Sequence, residues 1–355
     1  MVSFRAHETQ AIRMCVGLAV IAVCATPVPG AAAATPGRLA FGRPTAVSVS
    51  AANETAEVRF AGTAGQRVSL LGTNGLTGQL LGCDINVSIL KPDATVLAPP
   101  TCMEQTGFID VRTLPSTGTY TILVDPAGAA TGGVTLTLHE VPADYSASIA
   151  AGGPPVTATM STPGQNAALT FSGTPGQRIF LKGTNGMTGH LLACDVNVRI
   201  LQPDGAALAP DACMENSGFI GALTLATGGT YTIVVDPLSH AAGNITLTLY
   251  TVPDDTTGVV TIGGPAVTVT LSTPGQIGTR TFSGTAGQQV TVRMTANTFG
   301  WVAVRLKKPD GSVLATLRGF SSFGLPPQTL PTTGTYTIEV DPGAAGSITL
   351  AATSL

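Results

Sequence analysis

The chain repeats one pattern three times, and this repetition constrains its fold more than any single motif. Phe60, Phe171 and Phe282 follow one another at intervals of 111 residues, and each begins a Phe-x-Gly-Thr-(Ala/Pro)-Gly-Gln segment. Later in each copy a Thr-Tyr-Thr-Ile segment runs into Val-Asp-Pro, with its tyrosine at Tyr120, Tyr231 and Tyr336. Self-similarity at a fixed spacing sets the domain count before local motifs are considered.

Each copy has the size of an independent domain. A unit of roughly 100 residues can enclose its own apolar core. Helical solenoids repeat at about 20 to 50 residues, so a period of this length indicates separate units in tandem. We therefore predict three domains, at 43–146, 152–257 and 263–355.

The N-terminal residues 1–34 read as an export signal peptide. Arg5 and Arg13 lie in a polar start, an apolar stretch covers residues 14–25, and small residues and prolines follow. The apolar stretch is too short to span a bilayer, which takes about 20 residues. An alternative is a lipid anchor on Cys24, although Val23 is bulkier than the residue usual before a lipidated cysteine. The sequence thus predicts a secreted or cell-surface protein with no transmembrane segment in its mature chain.

Composition argues against nucleic-acid binding and against a disordered chain. Charged residues make up 10% of the chain and the net charge is -3. Nucleic-acid binding needs concentrated Lys and Arg, so we expect no nucleic-acid partner. The hydrophobic content of 44% also excludes a disordered chain.

Alternating residues predict strands throughout. Val134, Leu136 and Leu138 are separated by single threonines, and equivalent runs follow in the other copies. One apolar and one polar face is typical of an antiparallel sheet with one solvated side. Pro203-Asp204-Gly205 and Pro309-Asp310-Gly311 predict tight turns, whereas the first copy has Ala94 in place of the glycine. We predict an all-β protein of three tandem β-sandwich, jelly-roll-like domains.

The repeated elements resemble a known family. Phe-x-Gly-Thr-x-Gly-Gln, a strand into Pro-Asp, and Thr-Gly-(Thr/Gly)-Thr-Tyr-Thr-Ile-x-Val-Asp-Pro are similar to the bacterial pre-peptidase C-terminal domain. The resemblance covers all three copies. It implies a jelly-roll-like sandwich in an exported bacterial protein and a non-catalytic accessory role. No peptidase domain accompanies the copies here.

The cysteines predict two disulfide bonds. Cys83 and Cys102 lie in the first copy and Cys194 and Cys213 in the second, each pair 19 residues apart, while the third copy has none. Paired presence and absence in an exported chain favours bridges within domains. Free thiols or metal ligation are the alternative, but neither copy has the further Cys or His partners of a tetrahedral site.

The bridges would bring acidic residues together. Asp84 would approach Glu104, and Asp195 would approach Glu215, with Asn86 and Asn197 on the adjoining strand. Clustered carboxylate and amide oxygens suit Ca²⁺, so calcium is a candidate ligand. The simpler interpretation is that these are solvated turn residues.

Aromatic residues outside the repeated core positions collect in the third copy, at Phe299, Trp301, Phe320 and Phe323. Trp301 falls where the other copies have Asp84 and Asp195. An exposed cluster would mark an interaction surface. The alternative is repacking that fills the space left by the missing loop and bridge.

The sequence predicts no catalytic site. His139, His190 and His240 occupy unrelated positions in the repeat, and nucleophile, metal and phosphate-binding motifs do not occur. The leading hypothesis is a secreted, non-catalytic spacer, envelope component or adhesive accessory module. The second is a carbohydrate- or cell-surface-binding protein, whose partner would be an extracellular protein or polysaccharide.

Overall fold

The computed structural model describes residues 37–77, 83, 85–189 and 194–355. Within these residues the chain forms strands and turns but no helix, which confirms the all-β prediction. The predicted signal peptide lies outside the described residues, as do Asp84 and His190.

The first sandwich packs two sheets face to face. One sheet has the strand order β1-β3-β8-β5-β6 and the other β2-β9-β4-β7. Its strands are β1 (Gly37–Arg38), β2 (Thr45–Val49), β3 (Ala56–Gly62), β4 (Arg67–Thr77), β5 (Ile85–Leu90), β6 (Val96–Cys102), β7 (Thr106–Thr113), β8 (Gly118–Pro126) and β9 (Thr131–Glu140). Alternate residues of β3 are buried, as the period of two requires.

The second sandwich repeats this topology. Its sheets have the orders β10-β12-β17-β14-β15 and β11-β18-β13-β16. The strands are β10 (Tyr145–Ser148), β11 (Val156–Met160), β12 (Ala167–Gly173), β13 (Arg178–Asn185), β14 (Val196–Leu201), β15 (Ala212–Cys213), β16 (Ser217–Thr224), β17 (Gly229–Pro237) and β18 (Gly243–Thr251).

The third sandwich has sheets in the orders β20-β25-β22-β23 and β19-β26-β21-β24. Its strands are β19 (Val267–Leu271), β20 (Gly278–Gly284), β21 (Gln289–Thr295), β22 (Val302–Lys307), β23 (Val313–Gly319), β24 (Phe323–Thr329), β25 (Gly334–Pro342) and β26 (Gly346–Ser354). Each sandwich has its own hydrophobic core, and the three clusters share no residue. Residues 37–355 nevertheless form one compact unit by their contacts, and the three domain ranges stay predictions.

The repeated aromatic residues form the centre of each core. The ring of each repeated phenylalanine stacks on the repeated tyrosine of the neighbouring strand, at centroid distances of 5.3, 5.2 and 5.6 Å in chain order. Each tyrosine is fully buried, and its hydroxyl donates to the carbonyl four residues earlier, at Ser116, Thr227 and Thr332. A buried hydroxyl needs such a partner, so this bond fixes the loop before the strand to the core.

A set of polar contacts holds the junction between the first two sandwiches. Arg67 donates to the carbonyl of Pro142 at 2.8 Å and to the carboxylate of Asp144 at 2.7 Å. From the second sandwich, the buried amide of Gln165 donates to the carbonyl of Ala143 at 2.8 Å. The connecting segment is therefore bonded from both sides.

The junction between the second and third sandwiches has the same contacts. Arg178 donates to the carbonyl of Pro253 and to Asp255, both at 3.0 Å. Gln276 donates to the carbonyl of Asp254 at 2.6 Å. In the third sandwich Gln289 stands at the position of Arg67 and Arg178, and in the first sandwich Glu54 stands at the position of Gln165 and Gln276. Within the described residues, no such junction follows Gln289 or precedes Glu54. The junction contacts are thus confined to the places where two sandwiches meet.

Two details concern strand ends and turns. The repeated Val-Asp-Pro segments end strands β8, β17 and β25, so Asp125, Asp236 and Asp341 lie within strands, each next to its last residue. Ala94 adopts φ of 65°, in the left-handed region that Gly205 and Gly311 occupy in the other copies. The turn therefore keeps its geometry without its glycine.

Among the residues that the structure describes, no helix has the length and apolar character needed to cross a membrane.

Candidate binding cleft between the second and third sandwiches

The two predicted disulfides are present. Cys83 bonds to Cys102, and Cys194 bonds to Cys213. Each bridge joins the segment before a central strand, β5 or β14, to the edge strand beside it, because Asn86 pairs with Cys102 in register as Asn197 pairs with Cys213. Each bridge therefore ties the start of the central strand to the end of the edge strand beside it.

The two carboxylates beside the second bridge lie in different surroundings. Asp195 is 9% exposed and accepts a hydrogen bond from the Asn185 amide at 2.6 Å. The same amide donates to the backbone carbonyls of Met214 and Glu215, while the Glu215 side chain is exposed. Asp195 is thus a buried structural acceptor, and the expectation of a solvated turn residue is wrong for it.

In the first sandwich, Glu104 is exposed and its predicted partner Asp84 lies outside the described residues. Across the described ranges, no group of three or more His, Cys, Asp or Glu side chains could hold a metal ion.

The third sandwich carries different side chains at the positions of the bridge. Ala303 pairs with Arg318 on one side and with Asp341 on the other, just as Asn197 pairs with Cys213 and Asp236. Arg318 thus holds the position of a bridge cysteine. Trp301, two residues before Ala303, and Phe320, two residues after Arg318, correspond in this register to Asp195 and Glu215 of the second sandwich.

Trp301 and Phe320 are exposed, at 67% and 62%. Their ring centroids lie 5.2 Å apart, and the ring planes are inclined at 55°. Phe299 is buried in the core, and Phe323 is partly buried and packs against it. Repacking therefore explains Phe299 and Phe323, but it does not explain Trp301 and Phe320.

Trp301 lines a cleft of about 520 Å³ between the second and third sandwiches. On the opposite wall Phe219 is 56% exposed and stacks on Phe180 at a centroid distance of 5.3 Å. The floor on the side of the third sandwich includes Ala303, which is small and lies between longer side chains. Aromatic walls and a few polar groups are typical of ligand-binding clefts.

The cleft opens at the second junction because small residues replace larger ones there. At the first junction, a Cβ on Gly164 would lie 3.4 Å from the Asp110 carboxylate and 3.2 Å from Ser69, whose hydroxyl donates to Pro163. At the second junction, Gly221 stands 111 residues after Asp110 and lines the cleft. The same docking geometry therefore leaves room beside the second junction.

Ala222 likewise replaces the larger Val111, whereas Phe180 is larger than the Ser69 that it replaces. The turn at Gly275 packs on Phe180 and Ala222, since a Cβ there would meet the Phe180 ring at 2.7 Å. Phe180 is buried by this contact and supports Phe219 from beneath.

Charged residues cover the sheet face next to Trp301. Arg305 donates to Glu339 at 2.7 Å and to Asp341 at 2.9 Å, and Lys307 contacts Glu339. The hydrogen bond to Glu339, followed by that to Asp341, raises the pKa of Arg305. Burial works to raise the pKa of Glu339, but hydrogen bonds from Lys307 and Arg305 outweigh it and hold that pKa below its ordinary value.

Sequence reasoning found Trp301 but missed the opposite wall and Arg318. Phe219 and Phe180 belong to the second copy and do not recur in all three, so the repeat pattern did not indicate them as site residues. Arg318 could have been found only by aligning the strands that carry Cys102 and Cys213 with β23. The repeat lengths differ in this region, and the alignment depends on the observed register.

No family model matches the chain, and no curated protein matches it. Among solved structures, the CUB1-EGF-CUB2 domains of rat MASP-1 match at 9% identity over 58% of this chain and 100% of that chain, with a TM-score of 0.21. Tripeptidyl Peptidase 2 matches at 9% identity over 87% of this chain and 33% of that chain, with a TM-score of 0.20. The BSP domain of a biofilm associated protein matches at 10% identity over 88% and 64%, with a TM-score of 0.16. TM-scores of this size define neither a shared fold nor a shared function.

Proposed function

We propose that the protein is an exported, non-catalytic accessory or adhesive component that binds extracellular polysaccharide in the cleft between its second and third sandwiches. Export is supported by the two disulfides, because such bonds persist in oxidising compartments and are rare in the cytosol. A non-catalytic role agrees with the resemblance to pre-peptidase C-terminal domains. It also agrees with the engagement of Arg305, Glu339 and Asp341 in contacts with one another.

The exposed pair Trp301 and Phe320 carries this proposal. Large apolar side chains exposed together cost free energy in water, at roughly 25 cal/mol for each Å². Such a patch marks an interaction site when polar residues surround it. The C–H faces of sugar rings are apolar and flat enough to stack on these rings, while their hydroxyls can reach the charged residues beside them.

A structural spacer is the second candidate. The observation that favours it is the repeated junction, in which Arg67 and Arg178 bond to the connecting segments. A chain with fixed junctions can hold a surface component at a set distance. Both roles can reside in one molecule, and only the binding role requires the cleft.

The binding role can be tested directly, because Trp301 is the single tryptophan of the sequence. The fluorescence of the full chain would be followed during titration with soluble cello-oligosaccharide, dextran, polygalacturonate and methyl-esterified polygalacturonate. We expect at least one polymer to change the emission saturably. Trp301→Ala should lose binding in calorimetry, whereas Val96→Ala, which alters another exposed apolar residue in the first sandwich, should retain it. Absence of binding by every polymer would overturn the proposal.

A further inference from the structure

We propose that the cleft selects acidic polysaccharides and that Arg318 pairs with the carboxylates of their uronic acid residues. The inference depends on the proposed polysaccharide binding and adds the chemical class of the sugar. It arises from the position and the charge balance of Arg318.

Arg318 lies where a ligand can reach it. Its side chain is exposed, and it lines the cleft together with Trp301. It stands across from Ala303 in register, so the neighbouring position on β22 carries only a methyl group. A sugar ring stacked on Trp301 would therefore lie beside the guanidinium with no side chain between them.

The positive charge of Arg318 is also not balanced by an acidic side chain of the cleft. Arg305, the other arginine of the cleft, is bonded to Glu339 and Asp341, and Lys307 is paired with Glu339. Arg318 forms no ion pair with any described residue. The negative charges of Glu339 and Asp341 balance the positive charges of Arg305 and Lys307, so the charge of Arg318 remains as a net positive charge.

A guanidinium prefers a carboxylate to a hydroxyl. Its planar set of N–H donors matches the two oxygens of a carboxylate, and such charge-assisted bonds are roughly twice as strong as neutral ones. The carboxylate of Asp341, on the far side of Ala303, is held by Arg305 and so repels an approaching anion less. The arrangement thus favours an acidic sugar over its neutral analogue.

The test compares polygalacturonate with fully methyl-esterified polygalacturonate, which has the same backbone without the charges. For the wild-type chain we expect about tenfold tighter binding of the acid form at low salt. This preference should shrink in 0.5 M salt, because screening weakens exposed charge pairs. Arg318→Gln should bind both polymers equally, and Arg318→Lys should keep part of the preference.

Arg293→Gln is the matched control, because Arg293 is exposed on β21 in the other sheet of the third sandwich. It should keep the full preference. Equal binding of both polymers by the wild-type chain, or an undiminished preference in Arg318→Gln, would overturn the assignment of Arg318 and leave polysaccharide binding in place. Loss of binding to every polymer tested would instead contradict the proposed function itself.

Discussion

Trp301 directly precedes β22 and Phe320 directly follows β23, and their ring centroids lie 5.2 Å apart. They correspond to Asp195 and Glu215, which flank β14 and β15 in the second sandwich. The second and third sandwiches therefore differ in character at this pair of positions next to the bridge. In the second sandwich, where the bridge is present, Asp195 is buried and bonded to Asn185. Where the bridge is missing, the pair is aromatic and exposed.

Phe219→Ala should weaken polysaccharide binding by about tenfold, because exposed aromatic residues dominate such surfaces. The free energy of unfolding should change by less than about 1 kcal/mol, since more than half of the Phe219 side chain is already exposed. Calorimetric titration and urea denaturation measure the two quantities. Phe108→Ala, at the same register position of the first sandwich, should bind normally. Wild-type affinity in Phe219→Ala would confine the site to the third sandwich.

Arg178→Ala should loosen the second junction. The side chain is 22% exposed, and its loss removes bonds to Pro253 and Asp255 that together contribute about 1 kcal/mol. Cleavage of residues 251–255 by an Asp-specific protease should then accelerate roughly fivefold, since cleavage follows the population of the open form. Arg293→Ala serves as the control. Unchanged cleavage of the Arg178 variant would show that packing alone holds the junction.

Ala94→Gly should stabilise the first sandwich. Ala94 holds a φ of 65°, which costs a residue with a Cβ roughly 1–2 kcal/mol, whereas glycine adopts it freely. Glycine also has a larger entropy in the unfolded chain, which offsets part of this gain. We therefore expect the free energy of unfolding, measured by urea denaturation, to rise by about 0.5–1 kcal/mol. The reverse change, Gly311→Ala in the third sandwich, should destabilise it by a similar amount. A loss of stability in Ala94→Gly would contradict this account of the turn.

His139 should make the protein sensitive to mild acid. Burial, and then the nearby His240, lowers the pKa of His139 below its ordinary value of about 6.5. The unfolded chain therefore binds a proton more readily than the folded chain in this range. Stability should be full above about pH 6.5 and should fall as the pH drops from there toward the lowered pKa.

Urea denaturation between pH 8 and pH 5 measures this effect. His139→Tyr introduces the residue found at the equivalent position of the second copy, Tyr250, and should flatten the dependence. An identical pH profile in the variant and the wild-type chain would assign the acid sensitivity to other groups.

The candidate site was only partly accessible from the sequence. The repeat identified Trp301 as an aromatic residue at a position held elsewhere by aspartate, because that comparison needs only the spacing of the copies. It could not distinguish exposure from repacking, and the structure divides the cluster, with Phe299 buried and Trp301 exposed. Phe219 contributes to the cleft from another sandwich, and no local pattern connects it to Trp301.

The sequence by itself determined the strands, the three cores and the two disulfides. Alternating residues, paired cysteines and the recurring phenylalanine and tyrosine act through neighbours within one copy, so their consequences can be read from spacing. The cleft was decided only by the tertiary structure. It depends on how Gly275 seats against Phe180, on the small residues Gly221 and Ala222, and on the register that places Arg318 beside Ala303. These contacts join distant parts of the chain, and their geometry exists only once the sandwiches have packed together.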